Sequence, residues 1–166
     1  MPPNGTLVTL EPLRAGQVAP LFTLPDADMR VVDLSRFRGK KNVVLYFYPR
    51  DGTPGCTLQA TDFTDHEDDF AREHCVVIGV SPDDCLRHAE FRDEHGVSIQ
   101  LLADPDGEVS QKYGVWGGQP TNGHNRCAIV RSTFVIDKKG CVRHALYGVN
   151  PKGHALEVLQ LVKSLG

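Results

Sequence analysis

The stretch "YFYPRDGTPGCTLQATDF", residues 46–63, places a single cysteine between two elements of different kinds. Upstream, the apolar and aromatic run "NVVLYFYP" ends in a proline and predicts a strand that is buried on both faces. Downstream, residues 56–74 mix apolar and polar side chains in the pattern of a helix with one solvated face. Cys56 therefore lies at a strand–loop–helix junction that is rich in proline and glycine.

The segments on either side of this junction predict an α/β fold. "PLFTLP" and "RVVDLS" predict an N-terminal hairpin, and "CVVIGVS" predicts a second buried strand. A helix follows in "PDDCLRHAEFRDEHG", with Asp83 or Asp84 at its start and Gly96 at its end. Next come a strand in "IQLLADP", a short helix in "GEVSQKYG", a loop at residues 115–126, a second hairpin and a C-terminal amphipathic helix. This order predicts a central mixed β-sheet with helices on both faces and functional loops at the carboxyl ends of its strands.

Composition limits the function classes that are open to this chain. It has 166 residues, of which 40% are hydrophobic and 23% charged, as in an ordinary soluble globular protein. We predict a tail at residues 1–15 and a single domain at residues 16–166. The formal net charge of −3 argues against a general nucleic-acid binder, and no apolar stretch is long enough to cross a membrane. Because the N-terminus also lacks the pattern of a signal peptide, we expect a cytoplasmic protein.

The five cysteines are spaced too irregularly for a zinc ribbon or a thioredoxin-type dithiol, since no Cys-x-x-Cys occurs. In a reducing compartment we expect them to be mostly free thiols. Cys75, Cys127 and Cys141 are interpreted as small apolar residues in or beside strands. Cys56 is not interpreted in this way, because a loop rich in proline and glycine is not a core position.

The surroundings of Cys56 predict a reactive thiolate. Unpaired backbone N–H groups and the positive end of the dipole stabilise an anion at a helix N-terminus. Pro54 is pre-organised for a first helical turn, and Gly55 permits close approach of the backbone to a bound group. The loop lacks the Gly-Lys-Ser/Thr ending of a phosphate-binding loop, and Asp62 occupies the position where a tyrosine-phosphatase-like loop needs arginine. We predict no metal and no cofactor.

Three separated motifs resemble one known family. Pro49-x-x-x-Thr53-x-x-Cys56 is similar to the active-site pattern of the peroxiredoxins. The longer string "FYPRDGTPGCTLQATDF", with "YGVWG" at 113–117 and "RSTFVID" at 131–137, resembles the peroxiredoxin Q or bacterioferritin comigratory protein subfamily. The resemblance extends from about Gly16 to the C-terminus and implies a thioredoxin-like fold. It also implies a thiol-dependent peroxidase that takes part in antioxidant defence.

The resemblance assigns roles to individual residues. It implies that Cys56 is the peroxidatic cysteine, that Arg131 places a guanidinium beside it, that Thr53 hydrogen-bonds thiolate and peroxide, and that Pro49 shields the pocket. The thiolate would attack one oxygen of hydrogen peroxide or an organic hydroperoxide, leaving water or an alcohol and a sulfenic acid on Cys56. Arg131 would stabilise the charge that develops on the departing oxygen. The resemblance also favours a monomer.

The chain departs from this subfamily where many members carry a resolving cysteine, five residues after the peroxidatic one. Thr61 occupies that position and cannot form a disulfide. One interpretation is a one-Cys enzyme, whose sulfenic acid is reduced by a thioredoxin-like protein or a low-molecular-weight thiol. The other is an internal resolving cysteine in the helix that follows the second buried strand. Cys85 is the candidate there, although helix geometry requires the Cys56 helix to unwind before the two sulfurs meet.

Two other function classes stay open. A thiol–disulfide oxidoreductase would need the missing Cys-x-x-Cys. A redox sensor or holdase-like interaction protein could use Cys56 as a switch, because a sensor also needs an accessible, easily ionised thiol. Turnover separates a sensor from a peroxidase.

Overall fold

The computed structural model describes residues 12–116 and 129–165. Its strands are β1 (Thr23–Pro25), β2 (Val31–Asp33), β3 (Asn42–Phe47), β4 (Cys75–Ser81), β5 (Gln100–Ala103), β6 (Ser132–Ile136) and β7 (Val142–Tyr147). Its α-helices are α1 (Pro54–Asp65), α2 (Glu67–Arg72), α3 (Cys85–His95), α4 (Glu108–Lys112) and α5 (His154–Lys163), and a 3-10 helix covers Leu34–Phe37. β1 and β2 form the predicted N-terminal hairpin, and the other strands form one mixed sheet in the order β5-β4-β3-β6-β7.

Strand β3 lies at the centre of this sheet, as its continuous apolar sequence predicts. It pairs in parallel with β4 and antiparallel with β6, with Phe47 opposite Val80 on one side and Ser132 on the other. The carboxyl end of β3 therefore adjoins the carboxyl end of β4 and the first residue of β6. The loops that leave β3 and β4, and the residues that enter β6, meet at one edge of the sheet.

Each face of the sheet carries its own hydrophobic core. Val43, Leu45 and Phe47 of β3 point into a core that they share with the N-terminal hairpin and α4. Val44 and Tyr46 point the other way, into a core closed by α1, α2, α3 and α5. Successive side chains of a strand project to opposite faces. The sheet is therefore covered by helices on both faces, and the predicted mixed α/β class is confirmed.

The predicted helix at residues 56–74 is wrong in one respect, because it is two helices. His66 lies between α1 and α2 with φ −103° and ψ 7°, outside the helical region. Three consecutive acidic residues then open α2, where negative charge stabilises a helix N-terminus. Phe63 and Phe70 flank the break and are both fully buried, so the bend directs both helices onto the same core.

The other predicted elements are confirmed in kind. Asp84 caps α3 by accepting a hydrogen bond from the Arg87 N–H, and Gly96 ends the helix in the left-handed conformation with φ 65°. Strands β6 and β7 form the second hairpin. Residues 117–126 of the predicted loop, and Cys127, lie outside the described residues. Within residues 12–116 and 129–165, no helix is long and apolar enough to cross a membrane.

Candidate active site

Cys56 is the third residue of α1, the helix that follows the loop leaving β3. Thr53 is the N-cap and Pro54 the first helical residue, as the loop sequence predicts. The first turn of α1 contains no acidic residue, so nothing in it offsets the positive end of the helix dipole. The Cys56 side chain is 1% exposed. The thiol therefore lies in a desolvated position at the positive end of the α1 dipole.

Arg131 supplies a cation at this thiol. Its Nη2 donates to Cys56 Sγ at 3.4 Å, although the two residues are 75 positions apart in the sequence. They meet because Arg131 immediately precedes β6, whose first residue, Ser132, pairs with Phe47 at the end of β3. The Val149 N–H donates to the Arg131 carbonyl at 3.0 Å and fixes the backbone there. Sheet pairing thus brings the two predicted residues together.

Gln59 orients the guanidinium, and sequence reasoning missed it. Its Oε1 accepts from Arg131 Nη1 at 2.7 Å, so the guanidinium bridges Gln59 and Cys56. Gln59 lies one turn after Cys56 on the same face of α1 and is buried. Because an amide is neutral, it holds Arg131 without offsetting its charge. The three-residue spacing from Cys56 was the available signal.

Gly55 makes room for this arrangement. A Cβ built on Gly55 would lie 3.2 Å from Arg131 Nη2 and 3.5 Å from Pro151 Cγ. A side chain here would press on the end of the guanidinium that contacts Cys56. Glycine at position 55 therefore serves the close approach of Arg131.

Thr53 and Pro49 lie in the same loop, but neither is hydrogen-bonded to Cys56 among the contacts of the described residues. The Thr53 hydroxyl donates to the Arg50 carbonyl at 3.0 Å, which leaves its oxygen free to accept a further hydrogen bond. Pro49 is exposed at the end of β3. The predicted bond from Thr53 to the thiolate is not formed in this structure, because its one donor hydrogen is directed at Arg50.

Tyr46 lies in the same hydrophobic core as Cys56 and was also missed by sequence reasoning. Its ring stacks on Phe63 at 4.8 Å and on Tyr48 at 5.4 Å, and it is fully buried. Burial, with smaller contributions from the charges of Cys56 and Asp51, raises the pKa of Tyr46 well above its ordinary value. Within the described part of the chain its hydroxyl has no hydrogen-bond partner.

The other cysteines and Thr61 bear on how a sulfenic acid would be resolved. Cys75 is buried, Cys85 and Cys141 are half-buried, and none of these described cysteines is in a disulfide. Cys85 is the first residue of α3, and burial together with the carboxylates of Asp84 and Asp26 raises the pKa of its thiol. A raised pKa lowers its thiolate fraction and weakens it as a nucleophile. The Thr61 hydroxyl donates within α1 to the Thr57 carbonyl at 2.9 Å.

One cluster of possible metal ligands lies next to the loop within the described residues. It consists of Asp51, Asp83 and His88. His88 Nδ1 lies 2.6 Å from Asp51 Oδ2, which is a hydrogen-bond distance. Two ligands that each lie about 2.0–2.2 Å from one tetrahedral ion are farther apart than this. The cluster is therefore a hydrogen-bonded network, and its residues do not fit a metal site.

Comparison with known proteins places this geometry in a family. Residues 15–145 match the AhpC/TSA family. Peroxiredoxin Bcp of Bacillus subtilis is 39% identical over 153 residues, which cover 92% of this chain and 97% of that protein. Peroxiredoxin Bcp of Escherichia coli is 36% identical over 154 residues, covering 93% and 98%.

Solved structures agree with the sequence relatives. The bacterioferritin comigratory protein of Xanthomonas campestris, described for its alkyl peroxide reduction activity, has a TM-score of 0.82 and 30% identity over 87% of this chain and 91% of its own. A Cys-to-Ser variant of peroxiredoxin Q from Xylella fastidiosa has a TM-score of 0.86 and 27% identity, covering 93% and 98%. The chain belongs to the AhpC/TSA family and is a peroxiredoxin of the Bcp and peroxiredoxin Q type, a thiol-dependent peroxidase with the thioredoxin fold.

Proposed function

We propose that Cys56 is the peroxidatic cysteine, assisted by Arg131, Thr53 and Pro49. The observation that carries this proposal is the 3.4 Å contact from Arg131 Nη2 to Cys56 Sγ at the N-terminus of α1. A helix N-terminus and a guanidinium together favour a thiolate. Among the described cysteines, Cys56 alone is hydrogen-bonded to a cationic side chain.

The reaction follows from these positions. The Cys56 thiolate attacks one oxygen of the peroxide, an S–O bond forms and the O–O bond breaks. The sulfur is oxidised to sulfenic acid, and the departing oxygen leaves as an alkoxide or hydroxide that takes up a proton to give alcohol or water. Arg131 stabilises the charge on that oxygen because its guanidinium remains protonated and has further N–H groups that can donate hydrogen bonds. The Thr53 hydroxyl oxygen accepts a hydrogen bond from the peroxide, and Pro49 limits access of water.

We further propose a one-Cys cycle in which an external thiol reduces the sulfenic acid. Thr61 occupies the position at which an internal partner would be expected, and its hydroxyl is bonded inside α1. The raised pKa of Cys85 argues in the same direction. Cys85 stays the internal alternative, and it would require α1 or the start of α3 to unwind.

The proposed partners are hydrogen peroxide or an alkyl hydroperoxide as substrate, and a thioredoxin-like protein or low-molecular-weight thiol as reductant. The alkyl peroxide activity of the Xanthomonas relative supports the substrate class. Free thiols at all the described cysteines suit a reducing compartment, so we propose a cytoplasmic location. We propose a monomer on the resemblance to the peroxiredoxin Q subfamily alone.

The test is peptide-mapping mass spectrometry without reductant, after one equivalent of hydrogen peroxide and a sulfenic-acid trap. We expect the trap on Cys56 and no bridged peptide, in the parent and in Cys85→Ser alike. A Cys56–Cys85 peptide would replace the one-Cys cycle by an internal one. Peroxide consumption by Cys56→Ser at the parent rate, with a thiol reductant present, would refute the assignment of Cys56.

A further inference from the structure

A buried network lies behind the catalytic loop and has no part in the chemistry derived above. His88 and Asp51 are 0% and 1% exposed, and His88 Nδ1 lies 2.6 Å from Asp51 Oδ2. The other ring nitrogen, Nε2, lies 2.9 Å from the Leu102 carbonyl. Both ring nitrogens of His88 therefore have an oxygen partner, one on the Asp51 carboxyl group and one on the backbone of β5.

Asp51 is held on its remaining sides as well. The Tyr48 hydroxyl donates to Asp51 Oδ1 at 2.6 Å, and the backbone N–H of Asp51 donates to Asp83 Oδ2 at 2.7 Å. Asp83 is itself fixed by the Ser81 hydroxyl at 2.7 Å. Both carboxyl oxygens and the backbone N–H of Asp51 are therefore paired, and their partners are the residue that follows β3, a residue of α3 and a residue of the loop after β4.

Asp51 is the point at which this network reaches the active site. It lies two residues before Thr53, the N-cap of α1. The Thr53 hydroxyl is bonded to the Arg50 carbonyl, and the Thr57 N–H donates to the Thr53 carbonyl at 2.9 Å as the first helical bond. Fixing Asp51 therefore fixes the direction in which α1 starts, and with it the position of Cys56.

Resting on the proposed role of Cys56, we propose that Asp51 and His88 are positioning residues for peroxide reduction, a buried pair that holds the catalytic loop against α3 and β5. A buried pair of ionisable side chains is costly to desolvate and adds little stability on its own. The position of the Asp51–His88 pair next to the catalytic loop therefore explains its presence better than a contribution to core stability would. Its effect on the reaction passes through Thr53 and the start of α1, not through contact with peroxide.

The main test variant is His88→Gln. A glutamine amide can reach the Leu102 carbonyl but leaves Asp51 without its partner. We expect the rate constant of Cys56 with hydrogen peroxide to fall by about tenfold or more, because small displacements of reacting groups have large effects. Alkylation by iodoacetamide, which needs a thiolate but no oriented peroxide, is expected to change far less.

Asp51→Asn is the conservative variant, which is expected to keep the hydrogen bonds of the network. The asparagine oxygen still accepts from Tyr48, and its amide donates to Nδ1 of a neutral His88 that keeps its proton on Nε2 for Leu102. We expect its peroxide rate to stay within about threefold of the parent. Tyr48→Phe keeps the ring stack but loses one hydrogen bond to Asp51, and its peroxide rate is expected to lie between those of Asp51→Asn and His88→Gln. This variant replaces His88→Gln in the test if His88→Gln does not fold.

The controls separate positioning from general stability and from failure of the proposed site. Tyr113→Phe removes a hydrogen bond to the Pro20 carbonyl in the core on the other face of the sheet, and is expected to leave the peroxide rate unchanged. A folded His88→Gln with the parent peroxide rate would overturn the proposal. So would equal losses in the peroxide and alkylation rates, or a loss in Asp51→Asn as large as in His88→Gln. If Cys56→Ser still reduced peroxide, the assignment of Cys56 itself would fail instead.

Discussion

At the scale of single residues, the site depends on a cation that no nearby carboxylate offsets. Arg131 contacts the neutral amide of Gln59 and the sulfur of Cys56, and no salt bridge to Arg131 exists within the described residues. A carboxylate in place of Gln59 would compete with the thiolate for the guanidinium. On the proposed mechanism, catalysis therefore depends on the distance between Arg131 Nη2 and Cys56 Sγ, which neighbouring side chains control.

Gly55→Ala tests that distance. The added methyl group lies 3.2 Å from Arg131 Nη2, so the guanidinium must shift by a few tenths of an ångström. We expect the rate constant with hydrogen peroxide to fall by about three- to tenfold, since a shift of 1 Å can cost 10²-fold. Alanine is the better helix former by roughly 0.5–1 kcal/mol only in a helix interior, and Gly55 is the second residue of α1, so the free energy of unfolding should change little while the rate falls.

Stopped-flow peroxide kinetics and urea unfolding measure the two effects on the same variant. Leu58→Ala, at an exposed position of the same helix, is the matched control and should keep the parent peroxide rate. A Gly55→Ala protein that reacts at the parent rate would show that Arg131 accommodates the methyl group without leaving Cys56.

The residue types of the site were only partly predictable from sequence. Cys56, Thr53, Pro49 and Arg131 are carried by motifs, and the structure brings Cys56 and Arg131 into contact. The pairing of Asp51 with His88 was not predictable, because the two residues are 37 positions apart and only the packing of α3 under the loop joins them. Local sequence patterns report periodicity and caps, and they do not report which distant side chains meet.

At the scale of elements, the break between α1 and α2 is where the sequence pattern misled. Residues 56–74 have a helical apolar pattern throughout, but His66 interrupts it and the chain bends. The bend makes α1 a separate helix of 12 residues, and we expect it to be able to open without α2. Opening of α1 is what any cysteine partner within that helix would require.

Thr61→Cys tests whether α1 can open in this way. Five residues of helix span about 7.5 Å, more than the roughly 7 Å that a disulfide tolerates between Cα atoms. We expect free thiols in the reduced variant and, after one equivalent of hydrogen peroxide, a disulfide between position 61 and Cys56 with a loss of helical circular dichroism. Non-reducing peptide mapping identifies the bridge, and Thr64→Cys, farther along α1, should not form one. Persistence of the Cys56 sulfenic acid in Thr61→Cys would mean that α1 stays closed.

At the scale of the whole molecule, the two cores keep several ionisable groups in their neutral forms. Burial raises the pKa of Tyr46, Tyr48 and Tyr113 above the ordinary value for tyrosine. It also raises the pKa of Cys75, at the start of β4, to about 12. Cysteine has the lowest ordinary pKa of these groups, so Cys75 determines where the folded state first becomes sensitive to alkali.

The stability of the folded protein should therefore fall in alkaline solution. Above pH 9.0, the reference value for its thiol, Cys75 is ionised in the unfolded chain but protonated in the folded one. The folded state then binds more protons, so its stability is complete below that pH and is lost as the pH rises towards 12. Because the thiol is half ionised in the unfolded chain at pH 9, we expect Cys75 to lower the free energy of unfolding by about 1 kcal/mol between pH 9 and 10, with a limiting slope of about 1.4 kcal/mol per pH unit above that. The buried tyrosines, whose ordinary pKa is 10.0, add to this loss over the same range. Urea unfolding at pH 8, 9 and 10 in a Cys85→Ser background, which removes the second thiol of raised pKa, measures this slope. Cys75→Ala should be less stable at pH 8, because it leaves a cavity, and should lose about 1 kcal/mol less than the Cys85→Ser background between pH 9 and 10. An equal slope in Cys75→Ala would assign the alkaline sensitivity to other groups.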